Sequence, residues 1–257
     1  MVGLTSGVLL VAGLPAQSVL AATPTYTALG DSYSSGVGTR SYYDDGTNCK
    51  RSPYAYPVKD ASRLGAKLTF AACSGAKVAD VTSGQLGSLG AATSYVTISV
   101  GGNDANWASV LLKCAEPWPV NCTSDINAAR AFISNTLPGR LDGLYSAIRS
   151  RAPHAQVVVV GYPRLFNGEE CNLVARISPT EQSQLNQAAD LLATTIRARA
   201  SAHGFGYADP RSSFAGHSVC DDVEWINGLS NPISESYHPN RSGQTGYANL
   251  VEPLLRG

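Results

Sequence analysis

Short apolar runs separated by longer amphipathic stretches mark the chain from residue 26 onward. "YTAL" (26–29), "KLTFAA" (67–72), "YVTISV" (95–100), "AQVVVVGYP" (155–163) and "FGYADP" (205–210) have the length of strands and lie among turn-forming residues. Val157 to Val160 show no polar alternation, which predicts a central parallel strand covered on both faces. Between the runs the spacing becomes helical. Ser178 can cap a helix, Pro179 suits its first position and Glu181 completes a capping box. Leu185, Ala189, Leu192 and Ile196 then recur at three- and four-residue intervals before Gly204 stops the pattern. Residues 125–150 read as helical too, with a break expected near Pro138-Gly139. Alternating β and α elements predict an α/β fold: a mostly parallel sheet of five strands between two helical layers, a three-layer αβα sandwich.

The first 22 residues carry no charge. Val8 to Leu14 form an apolar core and "VLAA" ends in small residues, which predicts a signal peptide cleaved after Ala21 or Ala22 and one domain over 23–257. Pro15, Gln17 and Ser18 interrupt the stretch well short of the ~20 apolar residues of a membrane span. Six cysteines, at 49, 73, 114, 122, 171 and 220, suit an exported protein in an oxidising compartment. They contain no C-x-x-C pair and no histidine cluster accompanies them, so zinc is not expected; nor is calcium, since the pairs Asp44-Asp45 and Asp221-Asp222 stand in no D-x-D-x-D-G loop. Sequence alone does not choose their pairing; the preferred one is sequential, Cys49–Cys73, Cys114–Cys122 and Cys171–Cys220, because it staples local loops. Nineteen basic and nineteen acidic side chains cancel, which removes any electrostatic case for nucleic acid as a partner.

In a sheet of this kind, sites gather at the carboxyl ends of the strands. The first strand leads into Gly30-Asp31-Ser32, the second into Cys73-Ser74-Gly75 and the third into Gly101-Gly102-Asn103-Asp104; "SESYHPN" with His238 follows near the C-terminus. Each segment alone is ordinary turn chemistry, and Asn103 could simply cap the next helix. Together they supply a nucleophile, a base and donors for a developing negative charge.

This set resembles the SGNH hydrolases, the GDSL family of lipases and esterases, whose blocks are G-D-S, a glycine, G-x-N-D and D-x-x-H-P. They stand here in that order as Gly30-Asp31-Ser32, Gly75, Gly101-Gly102-Asn103-Asp104 and His238-Pro239. "GDSYSSG", "CSGA", "VGGND" and "HPN" bring the chain closest to secreted actinobacterial lipases and phospholipases A1 of that family. The resemblance implies the flavodoxin-like SGNH fold and no cofactor. It also implies Ser32 as nucleophile, His238 as general base, and an oxyanion hole made of the N–H groups of Ser32 and Gly75 and the Asn103 amide. Glycine at 75 is expected to let the backbone approach the substrate closely. One block departs: Glu235 replaces the usual aspartate three residues before the histidine. Two orienting groups for His238 therefore stay open, the Glu235 carboxylate and the main-chain carbonyl of Ser236, with the carbonyl favoured.

The expected function is a secreted serine ester hydrolase acting on lipid esters as a monomer with transient lipid-interface contact. The alternatives are a carbohydrate esterase, a lipid acyltransferase, or a binding protein that retains the fold. Tyr33, Tyr42, Tyr43, Trp107 and Trp118 are candidates to line an acyl groove. "GHSVC" (216–220) starts like a G-x-S-x-G elbow but ends in Cys220, and His154, His203 and His217 read as surface or loop residues. Asp31 and Asp104 are expected to brace their loops through backbone N–H groups.

Overall fold

The computed structural model describes residues 2–3, 22–117, 119–171 and 177–257. The leader expected over 1–22 lies almost wholly outside the described residues, as does Trp118. The five apolar runs are β1 (Thr25–Gly30), β2 (Lys67–Phe70), β3 (Tyr95–Ser99), β4 (Gln156–Val160) and β5 (Gly206–Ala208). They pair in the order β2-β1-β3-β4-β5, every pairing parallel, with Thr27 opposite Thr69 and Val96, and Val96 opposite Val157. Val157 to Val160 are buried on both faces of β4, as an unalternating run requires.

Two helical layers cover the sheet. Tyr56–Leu64 and Arg241–Arg256 pack together on one face; Thr123–Asn135, Leu137–Arg151 and Pro179–Ala202 form the other. The last begins with the expected capping box: Ser178 Oγ accepts the Glu181 N–H at 3.3 Å, and Glu181 accepts the Ser178 N–H at 3.1 Å. The break in the 125–150 stretch is at Thr136, two residues before Pro138. Pro138 sits in the first turn of the second helix, where an N–H has no intrahelical partner and its loss costs nothing. Leu137 and Ile196 fill one side of the sheet, and Tyr56, Tyr247 and Val251 the other, all fully buried.

Three disulfides join Cys49–Cys73, Cys114–Cys122 and Cys171–Cys220. Among the described residues, no helix is long and apolar enough to cross a membrane. The strand order reverses between β1 and β3, so the loops leaving their carboxyl ends part and open a crevice there.

Candidate active site

The crevice is built from Gly30 outward. Its φ is +119° and a Cβ would stand 2.3 Å from the Ser99 carbonyl oxygen, so only glycine fits beside β3. Gln85 clamps it, accepting its N–H at 2.7 Å and donating to its carbonyl at 2.8 Å. The next residue, Asp31, donates its N–H to Ser99 and starts the helical turn Ser32–Ser35, whose Tyr33 N–H its carboxylate caps at 3.0 Å. The Tyr162 hydroxyl donates to the other oxygen of Asp31. Burial pushes the Asp31 carboxyl up to about 7, and the hydrogen bonds from Tyr162 and Tyr33 pull against that rise. The neighbouring serines are spent inside: Ser34 Oγ is 2.9 Å from the Tyr56 hydroxyl, and Ser35 Oγ donates to the Ser32 carbonyl.

His238 arrives from the other end of the chain. Tyr237 before it is in the left-handed region at φ 58°, and the Tyr33 hydroxyl donates to the Tyr237 carbonyl at 2.8 Å. This turn sets His238 Nδ1 2.8 Å from the Ser236 carbonyl and Nε2 2.8 Å from Ser32 Oγ. A carbonyl can only accept, so the ring proton belongs on Nδ1 and Nε2 is left to accept from Ser32. Burial lowers the pKa of His238 to about 4; the Ser236 carbonyl and the Glu235 charge push it up, and Lys50 pushes it down.

Glu235 makes no hydrogen bond to the ring. It is only 2% exposed, and its two oxygens accept from the Gly38 N–H at 2.8 Å and from the Tyr42 hydroxyl. Asn227 reinforces the same junction, its side-chain amide donating to the carbonyls of Gly38 at 2.9 Å and Glu235 at 3.2 Å. Glu235 thus ties the histidine loop to the segment that follows the nucleophile.

Asn103 and Gly75 come from the next two strand ends. Asn103 Nδ2 donates to the Ala76 carbonyl at 3.1 Å, which bridges the β3 loop to the loop carrying Gly75. It does not cap the following helix, Trp107–Cys114, whose preceding residue is Asn106. Gly75 is exposed at φ +81°, and a Cβ there would meet nothing within 4 Å. That backbone conformation favours glycine whatever the space around it. Asp104 accepts the Val78 N–H at 2.9 Å and pairs with Arg140 at 3.0 Å, bracing both loops.

A cavity of about 310 Å³ holds Ser32, Asn103 and His238 in one wall and Trp107, Leu111 and Leu112 in another. Gly75 is not part of its lining. Leu112 and Ile233 line it while staying 39% and 54% exposed, which places them at its mouth. Tyr33 and Trp107 contribute to the walls as the groove idea required; Tyr42 is turned to Glu235, and Tyr43 is outside the lining and 47% exposed. A larger groove of about 580 Å³ between Trp107–Cys114 and Thr123–Asn135 contains none of Ser32, Asn103 and His238.

Residues 28–245 match the model of the GDSL-like lipase/acylhydrolase family. The chain belongs to this family and is a carboxylic ester hydrolase. It is 44% identical over 256 residues to Lipase 1 of Streptomyces coelicolor, an alignment covering 96% of this chain and 94% of that one. Among solved structures it is similar to phospholipase A1 of Streptomyces albidoflavus NA297, with TM-score 0.85 and 43% identity, and to the extracellular lipase of Streptomyces rimosus, with TM-score 0.83 and 40% identity. Each likeness covers 91% of this chain and 99% of the other.

The other histidines of this GDSL-family chain are occupied elsewhere. His217 stacks on Trp225 at 3.9 Å with Nδ1 on the Val223 carbonyl, His203 faces Asp142 at 3.1 Å at the end of Pro179–Ala202, and His154 is exposed. Cys220 of "GHSVC" is bonded to Cys171. Among the described residues, no three His, Cys, Asp or Glu side chains are grouped to hold a metal ion. Sequence reasoning missed Gln85, Tyr162, Asn227 and the hydrogen-bonding roles of Tyr33, Tyr42 and Glu235. Only the tyrosine after Gly30-Asp31-Ser32 offered a signal, by its place in the motif.

Proposed function

We propose that the protein is a secreted lipase or esterase that cleaves carboxylic esters of lipids through an acyl-enzyme on Ser32. The observation that carries this reading is the chain of contacts Ser236 carbonyl, His238 and Ser32, each 2.8 Å from the next, in the wall of an apolar cavity. Ser32 Oγ attacks the acyl carbonyl while its proton passes to His238 Nε2. The resulting oxyanion is held by the N–H groups of Ser32 and Gly75 and by the Asn103 amide. Collapse expels the alcohol, which takes the proton from Nε2; water then attacks the acyl-enzyme and loses a proton to Nε2, and the Oγ–acyl bond breaks as that proton returns to Ser32 Oγ and the acid leaves. Ser236 serves through its carbonyl alone, and Glu235 through the loop it fastens.

Trp107, Leu111 and Leu112 favour an acyl chain over a sugar in the cavity, and no observation gives the polysaccharide-ester reading comparable support. Exposed Leu112 and Ile233 at the mouth suit brief contact with a lipid interface by a monomer. Secretion is supported by the uncharged leader, by six cysteines all paired, and by the extracellular character stated for the Streptomyces rimosus relative. Hydrolysis of p-nitrophenyl esters from butyrate to palmitate tests the reading. Ser32→Ala should lower kcat on the order of 10⁶-fold on every ester it hydrolyses. A variant retaining most of its activity would remove Ser32 from the mechanism.

A further inference from the structure

We propose that Lys50 is the binding point for a phosphate on the alcohol side of the substrate, which makes glycerophospholipids the preferred esters of this site. The proposal rests on the ester-hydrolase reading above and adds the headgroup to it. Lys50 Nζ donates to Ser234 Oγ at 2.6 Å, and Ser234 lines the same cavity as Ser32 and His238. The ammonium also stands 5.9 Å from the centre of the Tyr42 ring, whose hydroxyl is on Glu235 in the histidine loop. Two independent contacts therefore place a positive charge beside the cavity.

That charge has no counter-ion. Among the described residues, no carboxylate lies within 4 Å of Lys50, whereas the carboxylate of Asp45 is taken by Arg51 at 2.8 Å. An ammonium has three donors, and Ser234 uses one. The backbone at the base of this side chain is anchored. Lys50 itself adopts φ 52°, a left-handed conformation uncommon for a residue with a side chain. Cys49 before it is bonded to Cys73 and accepts the Ser74 N–H at 2.9 Å; Arg51 after it accepts the Tyr43 N–H at 2.8 Å.

The geometry orders a substrate along the crevice. The acyl chain takes the wall of Trp107 and Leu111, and the scissile carbonyl meets Ser32. The glycerol phosphate then leaves past Ser234 toward Lys50. An ammonium with no carboxylate partner at that exit matches one phosphodiester, and charge-assisted hydrogen bonds to phosphate are the stronger kind. Because the chain's charges cancel overall, such recognition is local and not a product of long-range attraction. The Lys50 charge also depresses the proton affinity of His238, which puts the ammonium within electrostatic reach of the base.

The test compares kcat/KM for dihexanoyl phosphatidylcholine, dihexanoyl phosphatidylglycerol and p-nitrophenyl hexanoate, all kept monomeric, in wild type, Lys50→Gln and Lys50→Arg. Lys50→Gln should lose about 10-fold on both phospholipids, mainly through KM, and stay within about twofold on p-nitrophenyl hexanoate; Lys50→Arg should keep phospholipid cleavage. Added sodium chloride should raise the wild-type KM for the phospholipids and not for p-nitrophenyl hexanoate. Equal losses on all three substrates, or no loss on the phospholipids, would overturn the proposal. So would a wild type that cleaves p-nitrophenyl hexanoate and leaves both phospholipids intact. A wild type inactive on all three would instead overturn the ester-hydrolase reading beneath it.

Discussion

His238 is held as a neutral base by opposed forces of known sign. Burial disfavours the imidazolium and lowers its pKa from 6.5 to about 4, although the Ser236 carbonyl and Glu235 favour the charged ring. The free enzyme therefore keeps Nε2 available well into acid. The acid limb of kcat/KM on a soluble p-nitrophenyl ester should fall near pH 4, and a midpoint at 6.5 or above would contradict this environment for the ring. At this scale the sequence was informative about kinds of residue and silent about partners. Ser32 and Asn103 could be picked out in small turn motifs after apolar runs, and His238 by the order in which its block completes the set; the structure brings all three to one cavity. Tyr162 and Asn227 could not, since their contacts to Asp31 and Gly38 span 131 and 189 residues and leave no local pattern.

At the scale of elements, the loop of residues 232–240 matters as a unit. Tyr237 in its left-handed conformation, the Tyr33 hydroxyl on its carbonyl and the Glu235 clasp on Gly38 together aim one carbonyl at one ring nitrogen. Glu235→Ala would take the carboxylate acceptor from the buried Gly38 N–H, which keeps the Tyr42 hydroxyl at 3.3 Å, and from the half-buried Tyr42 hydroxyl, at about 1 kcal/mol of stability for each. Its thermal midpoint should drop by several degrees, while kcat stays within about 10-fold of wild type because the ring keeps its Ser236 carbonyl. A loss of about a thousand-fold or more in a folded variant would mean that the carboxylate itself orients His238. The sequence left that choice open because a glutamate three residues before a histidine has the reach for either role. The helix boundary near Pro138 was legible, and its exact place at Thr136 follows from Pro138 standing in the first turn of the second helix.

Across the whole molecule, the sheet and its layers were legible because each strand is a compact apolar run and the helices between them carry their own signals. The conformational role of Gly75 was not, since φ at one residue depends on the loop around it. Burial also sets the pH response of the fold. Asp60, in Tyr56–Leu64 against Arg241–Arg256, is fully buried with neither carboxylate oxygen hydrogen-bonded. Burial raises it from 3.8 to about 8, with Arg63 pulling it down and Glu252 pushing it up. Between these values the folded chain holds a proton that the unfolded chain releases, so stability falls as pH rises through that window. Asp31, raised to about 7, acts with the same sign, and His238 acts with the opposite sign below 6.5. Asp60→Asn should therefore show a smaller decline in thermal midpoint than wild type as the pH is raised from about 5 to 8.5; an equal decline would place the response elsewhere.

The central claim is that one serine of the three in "SYSS", made reactive by one histidine 206 residues away, forms the covalent intermediate. Diethyl p-nitrophenyl phosphate, which leaves a stable diethylphosphoryl group on an activated serine, tests it most directly when followed by peptide mass mapping. The account predicts one adduct per chain, on Ser32, with its formation lost in His238→Ala. An adduct on Ser34, Ser35 or any other residue, or inactivation with Ser32 unmodified, would contradict it.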